Sequence, residues 1–384
     1  MKVSPDIGII VIVLVLVVVG VIMIYSSSAI MSGESEKYRM DPFLFLRKQL
    51  VWMVLGIAMM LIFMYLDYHI LEKLVYPLFA LTVVLLVLVL TPKFGKEAGG
   101  AVRWFRLGPV SFQPSELAKF CLIVFLASSL SKKQKKVESF TYGILPYIIV
   151  TGVPVVLILR QPDFGTVVLL GIIFVGMLFL AGARMFYLMG IAMCSLPVIY
   201  ALIFSSAYRR GRVLAFLNPG KDPLGRGYHA IQSLIALGSG GPAGLGLGAG
   251  RQKLFFLPAP HTDFIISVIG EEFGFAGTLS VVLLFMGFLW LGATIMLEAK
   301  DKFGRLLAGG ITFIIVLQAF FNMGVASGIL PVKGVPLPFI SFGGSSLVFM
   351  MACAGVLVSV WRHRPKLRPQ SSKLPAPKGR GLAT

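Results

Sequence analysis

Charge is scarce in this chain. Asp, Glu, Lys and Arg make up 13% of its 384 residues, about half of the ~25% found in soluble globular proteins. The apolar and aromatic set reaches 57% before the 42 glycines are counted. A soluble surface cannot be covered with so few charges, and the same apolar content argues against disorder. Cysteine is sparse too. Cys121, Cys194 and Cys353 each sit inside an apolar run, which excludes a disulfide scaffold and leaves them as small packing residues. The four histidines, His69, His229, His261 and His363, are scattered, and no Cys/His group has zinc spacing. A P-loop and a nucleophile elbow are also lacking, which argues against soluble-type ATPase and serine hydrolase chemistry. What remains is a polytopic membrane protein.

Acidic residues are the rarer sign, 16 against 35 basic ones. The excess is local. Arg362, Arg364, Lys366, Arg368, Lys373, Lys378 and Arg380 crowd the last 23 residues, and Lys132, Lys133, Lys135 and Lys136 form a second cluster. Basic clusters beside apolar runs mark cytoplasmic ends facing anionic lipid. No folded basic domain accompanies them, so nucleic acid is not an expected partner.

Long apolar runs are what the sequence has instead. Stretches near the ~20 residues a span requires occur at about 7–26, 48–66, 73–91, 115–130, 142–159, 165–182, 186–204, 264–298, 306–328 and 340–361. The fold expected is an all-α polytopic protein of about ten transmembrane helices. The first run is longer than a signal-peptide core and is read as a retained helix. An even count puts both termini on one side. If that side is cytoplasmic, inside and outside segments each carry 17 basic residues. Setting aside the long loop 205–262, where charge counting loses force, leaves 17 against 10 and favours cytoplasmic termini. No internal repeat is visible. Loops 92–114 and 205–262, the latter between helices 7 and 8 and extracytoplasmic, are too long for simple turns and are expected to be functional. Residues 1–361 form the membrane domain, and 362–384 a basic cytoplasmic tail without fixed structure.

Three constellations could carry chemistry. In KLFFLPAPHTDFIISVIGEEFGF, residues 253–275, Asp263 either caps the helix that follows or serves as an ionisable group at membrane depth. The run after it is 34 residues, ~51 Å as a helix, so its first turns are expected to protrude or lie obliquely, leaving Asp263, Glu271 and Glu272 at a wet mouth. In VRWFRLGPVSFQPSELAKF, residues 102–120, Glu116 and Lys119 either form a local salt bridge or join Arg103 and Arg106 around a polar cavity. In the large loop, Arg209, Arg210 and Arg212 suit phosphate or pyrophosphate headgroups, with plain lipid anchoring as the simpler role. The seven glycines between Gly238 and Gly250 either hinge the loop or let backbone amides approach a ligand.

These residues also carry a resemblance. GPVSFQPSELAK (108–119), QPDFGT (161–166), NPGKDPLGRGYHAIQSLIALGSGG (218–241), GAGRQKLFFLPAPHTDF (248–264), GEEFGF (270–275) and LPVKGVPLPFISFGGSS (330–346) closely resemble the SEDS family of shape, elongation, division and sporulation proteins. The similarity extends over nearly all of 7–361. The forms GEEFG at 270–274 and LPVKG at 330–334 are those of the division member rather than the elongation member. Two positions depart: Ala259 stands where the family usually has an acid, and Phe342 where it usually has Tyr. The resemblance implies a peptidoglycan glycosyltransferase that polymerises lipid II, a disaccharide-peptide joined through pyrophosphate to undecaprenol, on the outer side of the bacterial cytoplasmic membrane, at the division septum. It implies Asp263 as the catalytic base for the acceptor 4-hydroxyl, with inversion at the donor carbon. The matching substrate-contacting set is Arg103, Glu116, Lys119, Arg209, Arg210, Arg212, His261, Glu272, Lys333 and Ser341. A divalent cation, Mg or Mn, is the one cofactor admitted. The partners implied are lipid II, a class B penicillin-binding transpeptidase and other division proteins. A lipid II flippase and a non-catalytic division scaffold are the rival readings.

Overall fold

The computed structural model describes residues 4–364 except 35, 39, 92–93, 99–100, 108–109, 134–138, 226, 255 and 332–333. The tail beyond 364, and Lys135 and Lys136 of the second basic cluster, lie outside the described residues. Each of the ten expected spans is an apolar helix. Eight are long enough to cross a membrane by length and composition: α1 (Pro5–Glu34), α2 (Leu44–Tyr65), α5 (Pro114–Lys132), α6 (Leu145–Arg160, extended by a π turn from Phe140), α8 (Met185–Phe204), α11 (Ile265–Glu298), α12 (Lys302–Ala326) and α13 (Gly344–Arg362). Two are shorter, α4 (Val75–Leu88) and α7 (Phe164–Leu180), and the five-residue α3 (His69–Lys73) precedes α4. The chain is a multi-pass membrane protein.

Local chemistry sets the starts of these helices. Pro114 occupies the first turn of α5, where its missing N–H is not needed. Asp301 accepts from the Phe303 and Gly304 amides to open α12, and Asp163 accepts from Thr166 to open α7. Helices α5, α12 and α13 are the most buried, whereas α8 buries only Leu188 and turns nearly all its surface outward. Helix α13 runs along α2 at very short range. A Cβ added at Gly355 would come 2.3 Å from the Met60 carbonyl, so a larger residue would push the two helices apart.

Loop 92–114 adds the strands seen among the described residues, the antiparallel sheet β1 (Gly95–Ala98), β2 (Ala101–Leu107) and β3 (Val110–Phe112), with Phe105 opposite Phe112. Loop 205–262 contains α9 (Ala207–Leu217) and α10 (Tyr228–Ser239), followed by the glycine-rich stretch.

Helix α11, long for a single span, is broken within its length. Gly274 has φ 66° and ψ −159°, a conformation closed to L side chains, and separates a half-helix, 265–273, from the longer piece that follows. A break at membrane depth frees backbone groups that lipid cannot satisfy. Residues 241–246 supply the partners. Leu245 and Gly246 donate to the carbonyls of Glu271 and Glu272 at 3.0 and 2.9 Å, while Phe275 and Ala276 donate to Gly241 and Pro242 at 2.8 and 3.1 Å. The fit demands glycine, since a Cβ at Gly244 would sit 2.2 Å from the Glu272 carbonyl. Here the glycine-rich stretch approaches the protein's own broken helix.

Candidate functional site

Asp263 lies two residues before α11, and the helix starts after Phe264 without any side-chain cap. Its carboxyl is therefore not held in the capping role. It faces a cavity of about 400 Å³ whose wall includes Tyr208 and Arg212 of α9, Asp222, His229 of α10, Phe264 and Gly334. Helix α9 begins just beyond the end of α8. It alternates Arg209, Arg210 and Arg212 with exposed Tyr208, Leu214 and Leu217, the pattern of a helix lying in the membrane interface.

Two buried polar side chains fix the backbone under the carboxyl. Asn322, only 1% exposed, donates from Nδ2 to the carbonyls of both Asp263 and Val335 at 2.8 Å. Ser341 Oγ donates to the Thr262 carbonyl at 2.6 Å and accepts from the Leu337 amide at 2.9 Å. Burial raises the Asp263 pKa from 3.8 to about 6, opposed by the positive charges of Arg212 and Arg103. The carboxylate is thus ionised at neutral pH yet more basic than an ordinary aspartate. Burial and Arg212 hold His229, across the cavity, below the usual histidine range, so its imidazole is neutral.

The structure brings only part of the sequence-derived set to this cavity. Arg212 lines it, its guanidinium 4.6 Å over the Tyr208 ring. Arg209 reaches Ser205 at 3.2 Å and stacks over Phe164, and Arg210 is exposed on α9. Arg103 donates to the carbonyls of Gln161 and Pro162 at 3.2 and 2.5 Å and stands 3.9 Å from Asp163. It acts on Asp263 through its field. Ser341 supports the site from behind rather than from the cavity wall. Lys333 and the Arg106 side chain lie outside the described residues.

Four residues expected at the substrate are placed elsewhere. Glu116 and Lys119 form a 2.8 Å salt bridge one turn apart, 5% and 3% exposed, and neither lines the cavity. Glu272 is fully buried, 2.5 Å from Lys253 Nζ, with Ser26 Oγ donating to it at 2.7 Å. That burial replaces the wet mouth expected there. Glu271 is equally enclosed, its carboxylate accepting the amides of Arg251 and Gln252 at 2.6 and 3.0 Å. His261 packs between Phe45 and Phe342, with ring centroids 4.6 and 5.8 Å away. Burial lowers its pKa to about 4, and Nδ1 is buried without a partner. The phenylalanine at 342 offers no hydroxyl, and Ala259 no carboxylate, to meet that nitrogen.

Sequence reasoning missed Asn322, Ser26, Lys253, Tyr208, Asp222 and His229 as site or supporting residues. The signal available for Asn322 was its place in a largely apolar span, where an amide demands partners. Among the described residues no group of three or more His, Cys, Asp or Glu is arranged to hold a metal ion. Asp263 and Asp222 share the cavity wall, so a divalent cation there would draw most of its ligands from water and substrate phosphate, as Mg²⁺ commonly does.

Residues 7–366 match the family model described as "Cell cycle protein", which is labelled for FtsW, RodA and SpoVE. A "Probable peptidoglycan glycosyltransferase FtsW" of Geobacter sp. (strain M18) is 45% identical over 89% of this chain and 92% of its own length. The "Stage V sporulation protein E" of Bacillus subtilis is 42% identical over 94% and 98%. Among solved structures, a chain described under "Structural coordination of polymerization and crosslinking by a peptidoglycan synthase complex" superposes with a TM-score of 0.76, at 32% identity over 92% of this chain and 97% of that one. The Thermus thermophilus rod shape determining protein RodA gives a TM-score of 0.68 at 28% identity, over 94% and 97%.

Proposed function

The chain belongs to the FtsW, RodA and SpoVE family of cell cycle proteins, and from that premise we propose that it is a peptidoglycan glycosyltransferase polymerising lipid II during division. The observation that carries this reading is Asp263: a basic carboxylate on a cavity wall, facing Arg212, its backbone clamped from beneath by Asn322.

The chemistry follows from that arrangement. Asp263 takes the proton of the acceptor's 4-hydroxyl as that oxygen bonds to the anomeric carbon of the lipid-linked strand. The bond from that carbon to pyrophosphate oxygen breaks, its electron pair leaving with undecaprenyl pyrophosphate. Arg212, on the cavity wall, balances the charge that develops there, and the other arginines of α9 add to the positive potential around the mouth. Attack opposite the leaving group inverts the anomeric centre. A base with a pKa near 6 is ionised at working pH and retains a driving force for proton removal. A divalent cation would add charge neutralisation at the pyrophosphate.

A membrane-interface α9 suits a substrate whose polyprenyl tail stays in the bilayer while its headgroup enters the cavity from the outer side. In this reading both termini are cytoplasmic, and the enzyme works in the bacterial cytoplasmic membrane at the septum. Crosslinking then falls to a class B penicillin-binding transpeptidase, with other division proteins assembled around the pair. The similarity to a chain of a peptidoglycan synthase complex supports such a partner.

Purified protein, in detergent without sealed vesicles, should convert labelled lipid II into glycan polymer, and its transpeptidase partner should raise the rate. A flippase or a scaffold would yield no polymer under these conditions, with or without the partner.

A further inference from the structure

A second cavity, of about 450 Å³, lies at the other end of the half-helix that follows Asp263. Its wall is Ser239, Leu245, Ala249, Arg251, Gln252 and Glu271. Residue 271 stands six positions beyond the start of α11, a rise of roughly 9 Å, and Asp263 and Phe264 of the first cavity immediately precede that start, so one short segment joins the two walls. The second wall is tied to α11 by the amides of Arg251 and Gln252 on the Glu271 carboxylate and by the Leu245 amide on its carbonyl.

Three groups in this wall are unspent. The Arg251 guanidinium is exposed and makes no bond among the described residues. The Gln252 side-chain oxygen is buried without a donor. Leu245 and Ala249 present small apolar surface. A guanidinium selects an oxyanion, an orphaned amide oxygen selects an N–H, and the apolar pair selects small aliphatic groups. An uncharged sugar would leave Arg251 unmatched. A pyrophosphate would bring no N–H for Gln252, and the first cavity already has the arginine-rich helix beside it. A short peptide with small side chains and a free carboxylate satisfies all three.

We infer that this second cavity receives the peptide branch of the lipid-linked disaccharide, holding the substrate while its sugar reacts at Asp263. The inference rests on the polymerase reading for its context. Replacing Arg251 leaves the amide that binds Glu271, so Arg251→Ala should fold as the wild type does. Polymerisation by wild type and Arg251→Ala is compared on lipid II and on the same lipid-linked disaccharide lacking its peptide. Loss of a charge-assisted bond corresponds to about a tenfold or greater fall in kcat/KM. That fall should appear with the peptide-bearing substrate and vanish with the stripped one. An equal fall on both would assign Arg251 to phosphate or sugar, and no fall on either would leave it without a substrate role; each overturns the inference. Binding of the free stem peptide to the detergent-solubilised full chain, with inorganic pyrophosphate as the comparison, is read separately. The peptide should bind wild type and be weakened about tenfold by Arg251→Ala. No peptide binding to wild type refutes the subsite even if polymerisation itself fails, and so separates the two claims.

Discussion

Replacing Asn322 should disable the site without touching the carboxyl that does the chemistry. Its Nδ2 holds the carbonyls of Asp263 and Val335, each at 2.8 Å, and the residue is 1% exposed. Asn322→Leu removes both donors and fills the space, so two buried carbonyls lose a partner, at about 1–3 kcal/mol each. The segment can escape that cost by moving toward water, which displaces Asp263. A misplacement on the order of 1 Å at a reacting group can lower the rate ~100-fold. A hydrated carboxyl also loses the burial that raises its pKa to about 6, so the value should fall back toward 3.8. The base works ionised. In the wild type the rate should therefore rise with pH through about 6 and level off above. In Asn322→Leu a lower plateau should be reached at more acid pH. Initial rates of lipid II polymerisation between pH 4.5 and 8 measure both. A purely structural loss would lower the plateau and leave the midpoint in place. A wild-type plateau with an unmoved midpoint would refute the clamp altogether.

Other consequences follow from burial and backbone geometry. Lys119→Ala strands the Glu116 charge inside the protein and should cost about 3–5 kcal/mol, seen as low membrane abundance and early thermal unfolding. Lys119→Met with Glu116→Leu should recover much of that stability. Gly274→Ala forces a side chain into φ 66° and a Cβ to 2.4 Å from the Gly244 amide nitrogen, and should lower stability severely, whereas Gly220→Ala, with open space around it, should not. Cysteine placed at the exposed Lys221 should react with an impermeant maleimide from outside the cell, and reaction only after lysis would invert the topology.

The membrane architecture was legible because hydropathy and span length impose it, and all ten runs are helices. Asp263 was legible through its motif and its place at the start of an apolar helix. The break in α11 was not, because a single glycine within an apolar run reads as any other; only the docking of 241–246 shows what Gly274 does. Glu272 looked available because its partners, Ser26 and Lys253, come from distant parts of the chain. Glu116 and Lys119 were correctly paired by spacing, yet spacing alone could not say that the pair is sealed off from the cavity. Asn322 makes contacts 59 residues upstream and 13 downstream, distances at which local pattern carries no information.

The general-base assignment is tested most directly by Asp263→Asn in the purified enzyme with labelled lipid II. The amide keeps the shape of the side chain and cannot accept the hydroxyl proton. Because the folded-state pKa lies above the unfolded value, ionisation destabilises the fold at neutral pH, a cost absent below about 3.8 and complete above about 6. The variant should therefore be more stable than wild type at neutral pH, by on the order of 3 kcal/mol, and the difference should fade as pH falls toward 4. Polymer formation should drop at least 100-fold, within the usual range for loss of a general base. Polymerisation at the wild-type rate by a well-folded Asp263→Asn protein would contradict the role assigned to this carboxylate.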